Sequence, residues 1–91
     1  MRLEVSVPLL LRDCTGGRSR FSLEADTLEE ALRRLIETYP LLKVHVYDER
    51  GQVREHVLLY YNDDNVAWLD DLGIPLRPGD KLRVLQAVSG G

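Results

Sequence analysis

Thr27-Leu28-Glu29-Glu30 opens the one long stretch of helical periodicity in the chain, and this stretch limits the fold more than any other feature. The four residues match a capping box, in which the Thr27 hydroxyl accepts from the Glu30 amide and the Glu30 carboxylate reaches back to the Thr27 amide. Leu28, Ala31, Leu32, Leu35, Ile36 and Tyr39 then recur at helical spacing, with Glu29, Glu30, Arg33, Arg34 and Glu37 on the opposite side. Pro40 drives Tyr39 out of the α region and ends this helix. A helix of about three turns with one apolar stripe needs a second layer to cover that stripe, and the rest of the chain must supply it.

The remainder reads as short strands. Leu3, Val5 and Val7 alternate with Arg2, Glu4 and Ser6, which predicts a half-buried strand from about Arg2 to Leu11. Asp13-Cys14-Thr15-Gly16-Gly17 is a turn, and beyond it Ser19, Phe21 and Leu23 alternate against Arg18, Arg20 and Ser22, completing a hairpin. Leu41-Leu42-Lys43-Val44-His45-Val46 reads either as a short turn of helix or as an extended connection. After the turn Asp48-Glu49-Arg50-Gly51, a strand is predicted from about His56 to Tyr61, apolar on both faces: Val57, Leu59 and Tyr61 on one, Leu58 and Tyr60 on the other. Residues 62–65 turn the chain, 66–69 form a short edge strand, and 70–76 form a loop with a few apolar anchors. Arg77-Pro78-Gly79-Asp80 turns the chain into a last strand, Lys81 to Gln86, where Leu82 and Val84 alternate with Arg83 and Leu85. The order ββαβ(β)β is that of an α+β domain, a mixed four- to five-stranded sheet with one main helix on one face. The other face is open to water or a partner, and it carries Leu58, Tyr60 and Leu85.

Composition narrows the function. A chain of 91 residues is one small domain, too small to enclose a deep catalytic cleft, so a stand-alone enzyme is not expected. With 12 Lys+Arg against 15 Asp+Glu and a net charge of -3, it lacks the basic excess that neutralises phosphates, so no nucleic acid is expected as a partner. The one cysteine, Cys14, forms no internal disulfide and suits a reducing, cytoplasmic home. The run Val7-Pro8-Leu9-Leu10-Leu11 falls far short of the ~20 residues that span a bilayer, and no signal-peptide cleavage site follows it, so no membrane association is expected.

Several residue types that often carry chemistry are better read as ordinary. Cys14 has only Arg12 or Arg18 nearby to lower its pKa and reads as an incidental thiol. His45 and His56 lie in different segments without a cysteine partner, so no metal is expected, and both read as half-exposed strand residues. Asp63-Asp64 and Asp70-Asp71 have no spacing that fixes them as a catalytic pair and read as solvated loop charges. Tyr60, Tyr61 and Trp68 could stack on bases, but without a basic funnel that use is not favoured.

The last residues are different. Val88-Ser89-Gly90-Gly91 follows the final strand directly, and two residues without side chains make a thin tail that can thread a narrow active site and present Gly91 as the reacting carboxylate. The expected division is a domain over 1–86 and a flexible tail over 87–91. Read with the fold order, the chain resembles the ubiquitin-like β-grasp sulfur carriers, the family of molybdopterin-synthase small subunits and ThiS-like carriers. The resemblance rests on Leu11-Arg12 before Thr15-Gly16-Gly17, the helix start Thr27-Leu28-x-x-Ala31-Leu32, Tyr39-Pro40, and Pro78-Gly79-Asp80 ahead of Ala87-Val88-Ser89-Gly90-Gly91. Two departures stand out. Gln86-Ala87 occupies the place where relatives often carry Pro, and Tyr61-Asn62-Asp63-Asp64-Asn65 lacks a glycine found in many of them. In the second respect, and in Asp48-Glu49-x-Gly51-x-Val53-Arg54, the chain is similar to the longer carriers associated with cysteine biosynthesis.

The resemblance implies that an E1-like enzyme adenylates Gly91 with ATP and magnesium, and that sulfur from a sulfurtransferase or persulfide donor then gives a thiocarboxylate. No cofactor is bound by the carrier itself, and the catalytic side chains belong to partners. Gly90 provides clearance. The acceptor is a molybdopterin or tungstopterin precursor, a thiazole precursor on the way to thiamine, a serine derivative or a tRNA base. The acceptor enzyme is accordingly one such as a molybdopterin-synthase large subunit or a cysteine synthase. The partner surface is expected on the open sheet face around Leu85, with Leu58, Tyr60 and Leu10, continuing through Ala87, Val88 and Ser89. Asp63, Asp64 and Asp80 are expected to steer it toward a basic partner. Two other readings remain open: a protein modifier joined through Gly91 to lysine, and a β-grasp interaction domain with an inert tail.

Overall fold

Alternating apolar residues on four short strands build one sheet whose inner face receives the helices. The computed structural model describes residues 1–86. Strand β1 (Arg2–Ser6) pairs antiparallel with β2 (Arg20–Glu24), setting Leu3 opposite Leu23 and Val5 opposite Phe21, so all four point inward. The strand stops at Ser6 instead of running to Leu11, because Pro8 has no N–H to donate to a ladder. The Val7 amide makes the final bond, to the Ser19 carbonyl at 2.9 Å. Leu9–Thr15 then coils into a 3-10 turn, closed by Gly16 at φ 65°, a left-handed conformation that suits glycine. The hydroxyl of fully buried Thr15 lies between the carbonyl oxygens of Arg12 and Arg18 and fixes this turn.

Helix α1 (Leu28–Thr38) begins where the capping signal places it, with Thr27 Oγ1 accepting from the Glu30 amide at 3.2 Å. The reciprocal half of the box is absent. The Glu30 carboxylate instead accepts from Arg34 Nε at 2.9 Å, a charged partner one turn along the helix. Two more open amides of the first turn, those of Leu28 and Glu29, donate to the carbonyls of Ile74 and Leu72 at 3.0 and 2.8 Å, so the 70–76 loop doubles as a cap. Leu28, Ala31, Leu32 and Leu35 are buried, while Ile36 and Tyr39 are partly covered. The segment after Tyr39 is a helix, α2 (Pro40–Val46), with Pro40 at its first turn, where no amide is needed. Leu42 and Val46 enter the same core, and Tyr39 meets Phe21 edge-on with ring centroids 4.9 Å apart.

Strand β3 (Val57–Tyr61) buries Val57, Leu59 and Tyr61 and leaves Leu58 and Tyr60 half-covered on the far face. A tight turn through Asn62, at φ 55°, leads to β4 (Asp64–Asn65). The edge strand is therefore this pair and not residues 66–69. Asn65 Oδ1 accepts from the Ala67 amide at 2.9 Å and draws Val66–Trp68 into a 3-10 turn, a local bond that competes with strand pairing. Strand β5 (Lys81–Gln86) completes a mixed sheet of order β2-β1-β5-β3-β4, parallel to β1 and antiparallel to β3. One apolar cluster runs from the inner sheet face to both helices. Among the described residues no element covers the opposite sheet face.

Candidate partner interface

Strand β5 lies in the middle of the sheet, so its outward side chains occupy the centre of the open face. Leu82 and Val84 are buried beneath the helices, which turns Lys81, Arg83 and Leu85 outward. Leu85 stands directly opposite Leu58 and is 37% exposed, so the two form a cross-strand apolar pair at the end of β5. One rung earlier Tyr60 faces Arg83, whose guanidinium carbon lies 5.6 Å from the ring centroid, within cation–π range. Arg83 also donates to the Asn62 carbonyl at 3.2 Å. The open face thus brings Leu58, Tyr60 and Leu85 together, as expected.

Leu10 is placed differently. It sits off the sheet in the 3-10 turn and is 82% exposed. Because β1 and β5 run parallel with Ser6 level with Arg83, this turn leaves the sheet at the end where β5 finishes. Leu10 therefore flanks the end of β5 without belonging to the Leu58–Leu85 face. Ala87, Val88, Ser89, Gly90 and Gly91 lie outside the described residues.

The expected acidic steering group divides. Asp63 in the β3–β4 turn and Asp64 at the start of β4 are exposed, but Asp80 is buried and is not a steering charge. Its carboxylate accepts from Tyr61 Oη, from Asn62 Nδ2 at 3.2 Å and from the Arg77 amide at 2.8 Å. Burial alone would raise the Asp80 pKa, but these hydrogen bonds, led by that from Tyr61, outweigh it and hold the carboxyl below its ordinary value. The same contact acts oppositely on Tyr61: burial first, and the Asp80 bond and charge second, push its phenol up to about 12. Asn62 completes the junction, its side chain accepting from the Lys81 amide at 3.0 Å. This cluster pins the β3–β4 turn to the start of β5 and so fixes the register of the outward residues.

Sequence reasoning missed the cations of the open face. Arg20, Lys81 and Arg83 line a shallow groove with Glu4 and Ser6. The signal was the alternation within each strand, but the three cations come from two strands distant in sequence, and β1 lies between those strands.

The remaining candidates are dispersed. Cys14 is partly covered in the 3-10 turn, and burial, then the charge of Asp13, raises its pKa, which disfavours a thiolate. His45 is on α2 instead of a strand, His56 precedes β3, and both are exposed. Among the described residues no group of three His, Cys, Asp or Glu side chains converges to hold a metal ion. Asp71 accepts from the Gly73 amide at 2.8 Å in a local turn, and Trp68 is 80% exposed on the edge turn. No helix among the described residues is long and apolar enough to cross a membrane.

Comparison with known proteins decides the family. The sequence model of the ThiS family matches residues 5–91. The chain belongs to the ThiS family. Within this family it is 32% identical over 93 residues to the sulfur carrier protein CysO of Mycobacterium tuberculosis, covering 100% of both chains. It is 30% identical over 83 residues to small archaeal modifier protein 1 of Haloferax volcanii, covering 89% of this chain and 91% of the relative. Its fold matches a chain in the crystal structure of the Amycolatopsis orientalis BexX/CysO complex with a TM-score of 0.78 and 28% identity, over 98% of this chain and 99% of that one. The ThiS-family assignment and the β-grasp fold agree with the expectations from Tyr39-Pro40 and Pro78-Gly79-Asp80.

Proposed function

We propose that the chain is a sulfur carrier whose Gly91 carboxylate is activated by an E1-like enzyme. The carrying observation is the end-to-end match to a protein named as a sulfur carrier, with family similarity running to residue 91. In the first step a Gly91 carboxylate oxygen attacks the α-phosphorus of ATP, held with magnesium by the partner, and pyrophosphate leaves. The acyl-adenylate has a good leaving group where the carboxylate had none. Sulfide displaces AMP to give the thiocarboxylate directly, whereas a persulfide donor gives an acyl disulfide that a thiol then reduces. The carrier contributes the tail and the surface that docks it: Leu58, Tyr60 and Leu85, with Leu10 and residues 87–89 alongside. Gly90 leaves room for the partner's walls.

The match to CysO favours the branch associated with cysteine biosynthesis, with a serine derivative as acceptor and a cysteine synthase as acceptor enzyme, in the cytoplasm. Similarity to the archaeal modifier supports a second reading, conjugation of Gly91 to lysine. The activating enzyme's ATP–pyrophosphate exchange tests the shared first step. It should rise with added chain and vanish when Gly91 is deleted; equal exchange with the deleted chain overturns the proposal. Adducts that survive reducing denaturation select the modifier.

A further inference from the structure

The open face carries a charge of opposite sign to the chain as a whole. The whole chain has a net charge of -3, yet the groove across β2, β1 and β5 holds Arg20, Lys81 and Arg83 against the single carboxylate of Glu4. Register explains the arrangement: Ser6 pairs with Arg20 on one side and Arg83 on the other, so this rung has two guanidinium groups and no acid. Lys81 adds a third cation one rung below, beside Glu4. Elsewhere on the face Glu24 is taken up by Arg2 and the N-terminal ammonium. Among the described residues, none of Arg20, Lys81 and Arg83 lies within ion-pair distance of a carboxylate.

The cationic rung adjoins the Leu58–Leu85 pair, so the charged groove and the apolar pair form one continuous surface that ends where the described part of β5 ends. Resting on the carrier reading above, we propose that the groove formed by Arg20, Lys81 and Arg83 docks on an acidic surface of the activating enzyme. The apolar pair sits nearer the end of β5 and takes most of the desolvation. The groove supplies long-range attraction and orientation, which act on association rate more than on the bound complex. This reverses the steering sense expected from Asp63, Asp64 and Asp80, since Asp80 is buried and the other two stand at the sheet edge, Asp63 in the β3–β4 turn and Asp64 in β4.

The test measures association of the full chain with its activating enzyme by stopped flow across ionic strength, with intact mass followed in parallel. Arg20→Glu/Lys81→Glu is compared with Arg33→Glu/Lys43→Glu, which makes the same charge change on exposed positions of the two helices. The proposal predicts that the groove variant associates about tenfold or more slowly at low salt and loses the salt dependence of the wild type. The helix variant keeps both, and circular dichroism should report native folding in each. Equal rates and salt slopes in the two variants overturn the groove while leaving the carrier intact, provided wild-type mass changes on activation. Salt-dependent association without any mass change keeps the groove and removes the carrier chemistry. Undetectable association removes both. Resonance shifts at Arg20, Lys81 and Arg83 on adding inorganic phosphate, with unaltered association, would assign the groove to a small anion and overturn the proposal.

Discussion

Leu85→Asp is expected to raise the carrier's KM in activation by about 100-fold while leaving the domain folded. The side chain is already 37% exposed on a face that no element of the described residues covers, so the free protein can keep the new carboxylate in water. In the complex the same carboxylate must be buried against Leu58 and the partner, while the neighbouring cation, Arg83, is held over the Tyr60 ring one rung away, and this burial costs several kcal/mol. A cost of about 3 kcal/mol corresponds to roughly a hundredfold in affinity. Because the defect lies in docking, kcat at saturating carrier should change little. Pyrophosphate exchange titrated with carrier separates the two quantities, and Leu58→Asp should reproduce the effect from the opposite strand. An unchanged KM in both variants, or unfolding of both, would remove Leu85 and Leu58 from the interface.

The second large effect is on stability. Asp80→Ala should destabilise the domain by about 2–4 kcal/mol, because it leaves the buried Tyr61 hydroxyl and the partly buried Arg77 amide without their acceptor. For a domain of this size that lowers Tm by roughly 10–20 °C, measurable by calorimetry. Asp80→Asn keeps an acceptor and should cost less, but it removes the titration. The folded carboxyl lies below its unfolded value near 3.9, so its contribution is complete above about pH 4 and is lost as pH falls through the folded value. Wild type should therefore lose stability as pH falls through the folded Asp80 value, and Asp80→Asn should show a flatter acid limb. Tyr61 works at the other extreme: raised to about 12 from about 10, its phenol contributes fully below pH 10 and loses that contribution as pH rises through 12. Identical acid limbs in wild type and Asp80→Asn would contradict this account.

Much of the architecture was legible because local and global signals agreed. The α1 boundaries follow from Thr27 and Pro40, and the faces of β3 and β5 follow from strict alternation at Val57, Leu59, Leu82 and Val84. The failures have local causes. An apolar run around Leu9, Leu10 and Leu11 imitates a strand, but the ladder cannot pass Pro8, and the run folds into a 3-10 turn. The Asn65 side chain turned the expected edge strand away in the same manner.

The open sheet face was legible in its apolar residues and misread in its charges. Leu58 and Leu85 announce themselves as outward apolar residues on strands whose inner faces are already filled. Asp80 looks like any loop carboxylate until its partners Tyr61 and Asn62, 19 and 18 positions earlier, are brought beside it. The cationic groove is likewise written across β2 and β5, and only the order β2-β1-β5 assembles it.

Intact mass of the protein is the direct test of whether Gly91 carries sulfur. The chain, its host's activating enzyme, ATP, magnesium and a sulfide source are incubated together, beside a chain lacking Gly91 and another carrier that shows the enzyme to be competent. A sulfur-carrying Gly91 gives replacement of one oxygen by sulfur in the full chain and no change in the deleted one. An unchanged mass in the full chain, with the other carrier converted, would contradict sulfur carriage and leave lysine conjugation or binding alone as the role of this β-grasp domain.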